Sequence, residues 1–173
     1  MKTYKLEDIF GFAADVEERG KQFYENASAQ ADAKNVKDLF AYLSKAETKH
    51  AKKFLKFHKA YSRKGTSFRG DSRLEAMFDT LMRGMLFPRL EEVKEAIGKA
   101  DRNPLVSLLR LAMGVETNSI LFYQEMSSVL DETETKDAVS KIVKEEQGHL
   151  IKLRGLRMEI DPYYSALKFG SWF

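Results

Sequence analysis

Cysteine is absent from this 173-residue chain. Disulfides, cysteine-ligated zinc, iron–sulfur clusters and a cysteine nucleophile are therefore excluded. Proline is scarce, at three positions. Each falls where a helix is expected to begin or end: Pro88 and Pro104 at starts, Pro162 just past an end. No apolar run of membrane-spanning length stands out, so no membrane partner is expected. The opening, Met1-Lys2-Thr3-Tyr4-Lys5-Leu6-Glu7-Asp8, carries acids and no apolar segment. It does not read as a signal peptide, and a cytoplasmic location is the default expectation. The net charge is only +3. The lysine-rich run from Lys45 to Lys64 reads as a solvated helix face, and no nucleic-acid partner is expected. The remaining composition, 43% hydrophobic and 32% charged, is that of an ordinary globular chain long enough for one domain with a real core.

What the chain does have is an internal repeat. Shifted by 99 residues, Glu17 falls on Glu116, Phe23 on Phe122, Tyr24 on Tyr123, Glu47 on Glu146 and His50 on His149. Between Leu6 and Lys53, 14 of 48 positions are identical at that offset. Chance would give about three at average composition. A period of this length is too long for a solenoid and reads as one helical hairpin, duplicated.

The apolar spacing gives the elements. Leu6, Ile9, Ala13, Val16, Gly20, Phe23, Tyr24 and Ala27 recur at helical steps and predict a helix over about 5–31. A turn near 32–34 follows, with Asn35 as N-cap of a second helix running to about Ser62. Residues 63–103 have no counterpart in the repeat. A loop over 64–70, a capping box at Ser72-x-x-Glu75 with a helix over about 73–84, and a second short helix from Pro88 to about Gly98 are expected there. Asn103-Pro104 is a strong start for a third helix to about Leu130. Asp131-x-x-Glu134 is placed to cap a fourth, to about Met158, which Asp161-Pro162 ends. The expected architecture is all-α: an antiparallel four-helix bundle of hairpin one (5–62) and hairpin two (104–160). A long, partly helical connection (63–103) joins them, and an aromatic tail (161–173) docks on the bundle or a sister subunit. Gly20 reads as a close-packing position, and His58, whose repeat counterpart is Arg157, as a surface residue.

The chemistry lies in the repeated residues. Positions i and i+3 share a helix face, so Glu47 with His50, and Glu146 with His149, each present an oxygen and a nitrogen toward one point. With Glu17 and Glu116 they form six candidate metal ligands, all at core positions. Four carboxylates buried without partners would cost several kcal/mol each. Two divalent cations carry the charge that neutralises them, which is the physical case for a dinuclear site. Carboxylate-rich ligation with two imidazoles suits iron or manganese better than the tetrahedral sites zinc prefers.

These residues carry a resemblance. Glu17-x-x-Gly20-x-x-Phe23-Tyr24, Leu43-x-x-x-Glu47-x-x-His50, Glu116-x-x-Ser119-x-x-Phe122-Tyr123 and Glu145-Glu146-x-x-His149 resemble the rubrerythrin branch of the ferritin-like di-iron carboxylate superfamily. The resemblance covers about 6–60 and 104–158. It implies two iron ions, with manganese as alternative metal and zinc as an adventitious occupant of purified material. Glu47 and Glu146 would bridge them, Glu17 and His50 would serve one ion, and Glu116 and His149 the other. Tyr24 and Tyr123 would hydrogen-bond ligand carboxylates across the bundle. Rubrerythrins proper carry a further Glu where this chain has Ser119, and a cysteine-ligated rubredoxin domain for which this chain has no cysteines. Electrons are thus expected from an external donor protein. Thr48 stands where bacterioferritin's haem-ligating Met would fall, so no haem is expected. The implied function is reduction of hydrogen peroxide or dioxygen by a homodimer. A ferroxidase or iron-handling protein is the alternative, and a non-enzymatic metal-binding interaction module the third.

Overall fold

Four long helices wind where the apolar steps place them. The computed structural model describes residues 3–70, 76, 80, 103–161, 163 and 164. Helix α1 spans Leu6–Gln30, α2 Lys34–Lys64, α3 Pro104–Ser128 and α4 Thr133–Ile160. Turns at 31–33 and 129–132 fold α1 on α2 and α3 on α4 as antiparallel hairpins. The apolar faces close on one another. Phe40, Phe54, Leu109, Phe122, Ile142 and Leu153 are fully buried, each stabilising by about 1.5–3 kcal/mol before chain entropy opposes it. Rings join the hairpins: Phe12 meets Phe122 edge-on at 5.4 Å, and Phe54 lies 4.9 Å from Tyr123. This is the expected all-α four-helix bundle.

Two short strands were not expected. Thr3–Lys5 (β1) pairs antiparallel with Ser67–Arg69 (β2), Tyr4 opposite Phe68. Helix one therefore begins at Leu6, and part of the loop over 64–70 is a strand. Gly65 makes this possible. Its φ of 63° is left-handed, and its N–H donates to Tyr61 O at 3.0 Å, closing α2 and turning the chain back. Leu6 N then donates to Thr66 O at 3.0 Å, and Tyr4 stacks on Phe68 at 5.7 Å. Strands of three residues are too short to leave an alternation pattern.

Two expected caps are displaced. Helix α2 starts one residue before Asn35, with Ala33 at the cap position and no side-chain cap; Asn35 Oδ1 accepts only from Val36 N, at 3.0 Å. At α4 the cap position is Glu132, not Asp131, again without a side-chain cap. Glu132 is drawn across the bundle instead, accepting from Tyr61 Oη at 2.7 Å and Lys64 Nζ at 2.8 Å. The start of α3 is as expected: Asn103 Oδ1 accepts from Leu105 N at 2.9 Å, with Pro104 in the first turn. His58, expected at the surface, is half-buried. Its Nδ1 lies 2.8 Å from Glu7 O, in space left by Gly11, where a Cβ would stand 3.2 Å from that nitrogen.

Helix α3 corrects one further expectation. By length and composition it is apolar enough to cross a membrane, with a mean hydropathy of 1.3 over its best window. Here it is a core helix, burying Leu109, Ala112, Val115 and Phe122 together with the carboxyl of Glu116. Gly20 is buried on α1. Ala76 and Thr80 are helical. The rest of the expected helix over 73–84, its capping box, the helix from Pro88 to Gly98 and the tail beyond 164 lie outside the described residues.

Candidate metal centre

The inward face of each helix delivers one part of a single cluster. Glu17 comes from α1, Glu47 and His50 from α2, Glu116 from α3, Glu146 and His149 from α4. None is more than 4% exposed. Their ligand atoms form two overlapping groups, Glu17/Glu47/His50/Glu146 and Glu47/Glu116/Glu146/His149. Within each group the atoms lie within 4.8 Å of one another. Glu47 and Glu146 belong to both. Both imidazoles turn Nδ1 inward. His50 Nδ1 is 2.8 Å from Glu146 Oε1, 3.4 Å from Glu17 Oε2 and 3.6 Å from Glu47 Oε2. His149 Nδ1 is 2.9 Å from Glu146 Oε2, 3.7 Å from Glu116 Oε1 and 4.0 Å from Glu47 Oε1. All six expected residues come together.

The tyrosines cross the bundle. Tyr24 Oη donates to Glu116 Oε1 and Tyr123 Oη to Glu17 Oε1. Both rings are fully buried, Tyr24 stacked on Phe40 at 6.0 Å and Tyr123 beside Phe54. Each tyrosine thus ties up one oxygen of a carboxylate on another helix. Glu17 Oε2, Glu146 Oε1 and His50 Nδ1 stay without a hydrogen bond although buried. The last two are close enough to interact, yet they are not aligned for a hydrogen bond. Leaving such atoms unsatisfied costs about 1–3 kcal/mol each, more for charged groups. Convergent oxygen and nitrogen lone pairs around one space are what a divalent cation requires, so the cluster fits a metal site.

The electrostatics describe the same crowding. Burial pushes Glu47 well above the usual carboxylate range, and Glu146 and Glu17 push it further. Burial and Glu146 raise Glu116 to about 8, against the pull of His149. Burial works against protonation of His149, but Glu116 and Glu146 overcome it and raise its value to about 9. His50 is held higher still, because Glu146, Glu17 and Glu47 outweigh its burial. Burial likewise opposes ionisation of Glu146, but His149 and His50 hold it below the ordinary range. Tyr24 and Tyr123 are raised well above theirs, first by burial and then by Glu116 and Glu17, so they stay protonated donors. With protein groups alone, protons must neutralise the cluster, and divalent cations would displace them.

Two neighbours were missed as site residues. Glu145 Oε2 accepts from His50 Nε2 at 2.7 Å, with Lys53 Nζ 3.5 Å from its other oxygen. Tyr42 stands edge-on to His149, ring centroids 5.9 Å apart. The available signal for Glu145 was a second acid directly before Glu146, on the flank of α4 facing α2. Its repeat counterpart is Ala46, so the duplication did not flag it.

A four-helix bundle with a buried cluster of four Glu and two His, four of the six supplied by two Glu-x-x-His pairs, defines the ferritin-like di-iron carboxylate class. Within that class the chain belongs to the rubrerythrin family, whose model matches residues 8–157. A solved Thermotoga maritima protein described as ferritin-like diiron-carboxylate is similar over 94% of this chain and 99% of its own, at 25% identity and a TM-score of 0.68. A hypothetical protein from Pyrococcus furiosus shares the fold at 21% identity and a TM-score of 0.60, over 98% of this chain and 94% of its own. No curated protein matches the chain.

Proposed function

We propose that the protein is a di-iron oxidoreductase that reduces hydrogen peroxide or dioxygen with electrons from an external donor protein. The observation carrying this reading is the pair of overlapping groups that share Glu47 and Glu146. Glu47 and Glu146 would bridge the irons, Glu17 and His50 would hold one, and Glu116 and His149 the other. Two irons, when bound, would supply the two-electron reduction that cleaves an O–O bond. The protein's own groups set the conditions. Tyr24 and Tyr123 each fix one oxygen of Glu116 and Glu17, and at Glu17 the other oxygen has no hydrogen-bond partner. The buried rings of Phe40 and Phe54 exclude water beside the tyrosines, which strengthens every electrostatic interaction inside. Manganese is the alternative metal. The same reading expects a cytoplasmic homodimer, which fractionation and sedimentation test.

The experiment is kinetic. Protein reduced without air is mixed with hydrogen peroxide and, separately, with dioxygen at equal concentration. Faster oxidation by peroxide and repeated turnover with a chemical reductant are expected. One observation favours a ferroxidase as second reading. Ser119 is buried one turn after Glu116, where rubrerythrins proper carry a further carboxylate, so the two halves offer the same donors. Retention and oxidation of many irons per chain in air would select that reading. If neither oxidant changes the metal spectrum, the protein binds metal without turning it over.

A further inference from the structure

The two imidazoles of the cluster are alike on the inside and unlike on the outside. Each turns Nδ1 toward Glu146, at 2.8 Å for His50 and 2.9 Å for His149. Outside, His50 Nε2 donates to Glu145 Oε2 at 2.7 Å. Among the described residues no acceptor faces His149 Nε2. That ring instead meets the ring of Tyr42 at an interplanar angle of 87°. The difference comes from one position of the repeat: 99 residues before Glu145 stands Ala46, whose methyl group accepts nothing. The nearby lysines do not create it, because they are duplicated. Lys53 Nζ is 3.5 Å from Glu145 Oε1, and its counterpart Lys152 stands 5.1 Å from the Tyr42 ring centroid.

An anionic acceptor on the outer nitrogen of a ligating histidine fixes its tautomer and ring orientation and makes the inner nitrogen a stronger donor. We infer that Glu145 is a positioning residue that makes the two halves of the cluster inequivalent: the Glu17/His50 half takes up a divalent cation first and more tightly, the Glu116/His149 half second. This rests on the metal reading above and concerns only the order and strength of filling. Glu145 is placed for the role, since its carboxylate is 48% exposed and stays outside the cluster while touching it through His50.

The test is titration of the metal-free full chain with cobalt(II), followed by visible absorption. Wild type should fill in two separable steps of one cation each. Glu145→Ala should weaken the first step by about 10–100-fold and leave the second in place. Glu145→Gln, which keeps a neutral acceptor, should fall between. Ala46→Glu, which offers His149 the missing acid, should tighten the second step and bring the two together. In zinc-loaded protein the His50 Nε2–H proton should give a slowly exchanging NMR resonance that Glu145→Ala loses, a signature that general loosening of the bundle would not single out. Two equal steps in wild type, or a Glu145→Ala titration matching wild type, would overturn the inference while leaving the metal reading intact. No cobalt uptake by wild type would remove both.

Discussion

Hairpin one and hairpin two carry the same candidate ligands at the same spacing, and they differ in what stands around them. Inside, Glu17 matches Glu116, Glu47 matches Glu146, His50 matches His149, and the tyrosines exchange hydrogen bonds across the bundle. Outside, hairpin one places Phe40 and Phe54 where hairpin two has Val139 and Leu153, and hairpin two backs His50 with Glu145 where hairpin one offers Ala46. The starts differ too: a two-stranded sheet leads into α1, an Asn cap into α3. The lesson is that the cluster constrains residues facing it much more tightly than those one layer out. A buried carboxylate lost from the centre leaves its partners unpaired. A Phe exchanged for Leu or Val in the next layer is absorbed by repacking.

The largest effect expected follows from the two residues that belong to both groups. Glu47→Ala or Glu146→Ala should empty both halves, taking metal from about two ions per chain to nearly none, because a shared carboxylate serves both. Glu17→Ala or Glu116→Ala should lose about one ion. Metal analysis of protein purified without added metal decides it. Glu17→Ala losing as much as Glu47→Ala would break the division into overlapping halves. Chelation should also lower the melting temperature, since metal binds only the folded cluster.

A smaller effect is expected at the tyrosines, and here the halves should agree. Tyr24→Phe and Tyr123→Phe each strip the donor from a buried carboxylate oxygen, on Glu116 and Glu17 respectively. Each should weaken metal binding by about 10–100-fold without emptying the site. A large loss from one and none from the other would show that the crossed hydrogen bonds are not equivalent. Calorimetric titration of the two variants makes the comparison.

The crossed bonds followed from the family resemblance, whereas the six-residue cluster was legible in the sequence itself because two rigid constraints fix it. Helical periodicity put Glu17, Glu47, His50, Glu116, Glu146 and His149 on inward faces, and the 99-residue offset paired them. What escaped reading depended on contacts between elements. Glu145 reaches His50 from another helix, 95 positions away. Glu132 stands at the cap position expected for Asp131, and its carboxylate is held by Tyr61 and Lys64 of α2. His58 is drawn inward by the Glu7 carbonyl and the gap beside Gly11, neither of which a single helix pattern reveals. The apolar character of α3 was underread because Glu116 interrupts it.

Proton linkage should sharpen the comparison further. In hairpin two, Glu116 is raised to about 8 and His149 to about 9. Both values lie above those of the unfolded chain, about 4.3 and 6.5. A group raised on folding contributes stability that is complete below its unfolded value and lost as pH climbs through its folded value. Metal-free protein should therefore melt several degrees lower at pH 9.5 than at about pH 6. Glu146, held low, adds the opposite dependence only in strong acid. Bound cations replace the protons, so metal-loaded protein should not weaken over that window and should instead release metal toward low pH. Glu47 and His50, also raised, add loss of the same sign, so Glu116→Gln should flatten part of the alkaline loss and not the whole. Calorimetric scans across pH give the answer, and a metal-free melting temperature rising from pH 6 to 9.5 would contradict the assignment.

The smallest effect is expected where the hairpins begin. Helix α1 is entered from β1, held by the pairing of Tyr4 with Phe68. Helix α3 is started instead by Asn103, whose Oδ1 accepts from Leu105 N at 2.9 Å. Replacing a capping Asn by Ala costs about 0.5–2 kcal/mol. Pro104 keeps its pre-set φ in the variant, which favours the lower part of that range. For a chain of this size Asn103→Ala should lower the melting temperature by about 2–4 °C for each kcal/mol lost. Asn103→Asp should hold or slightly raise it, since an aspartate accepts the same bond and its charge suits a helix N-terminus. Metal content should not change in either variant, because Asn103 precedes Glu116 by more than three turns of α3. If Asn103→Asp melts like Asn103→Ala, the Oδ1 bond is not what starts the helix, and the contrast between the two beginnings fails.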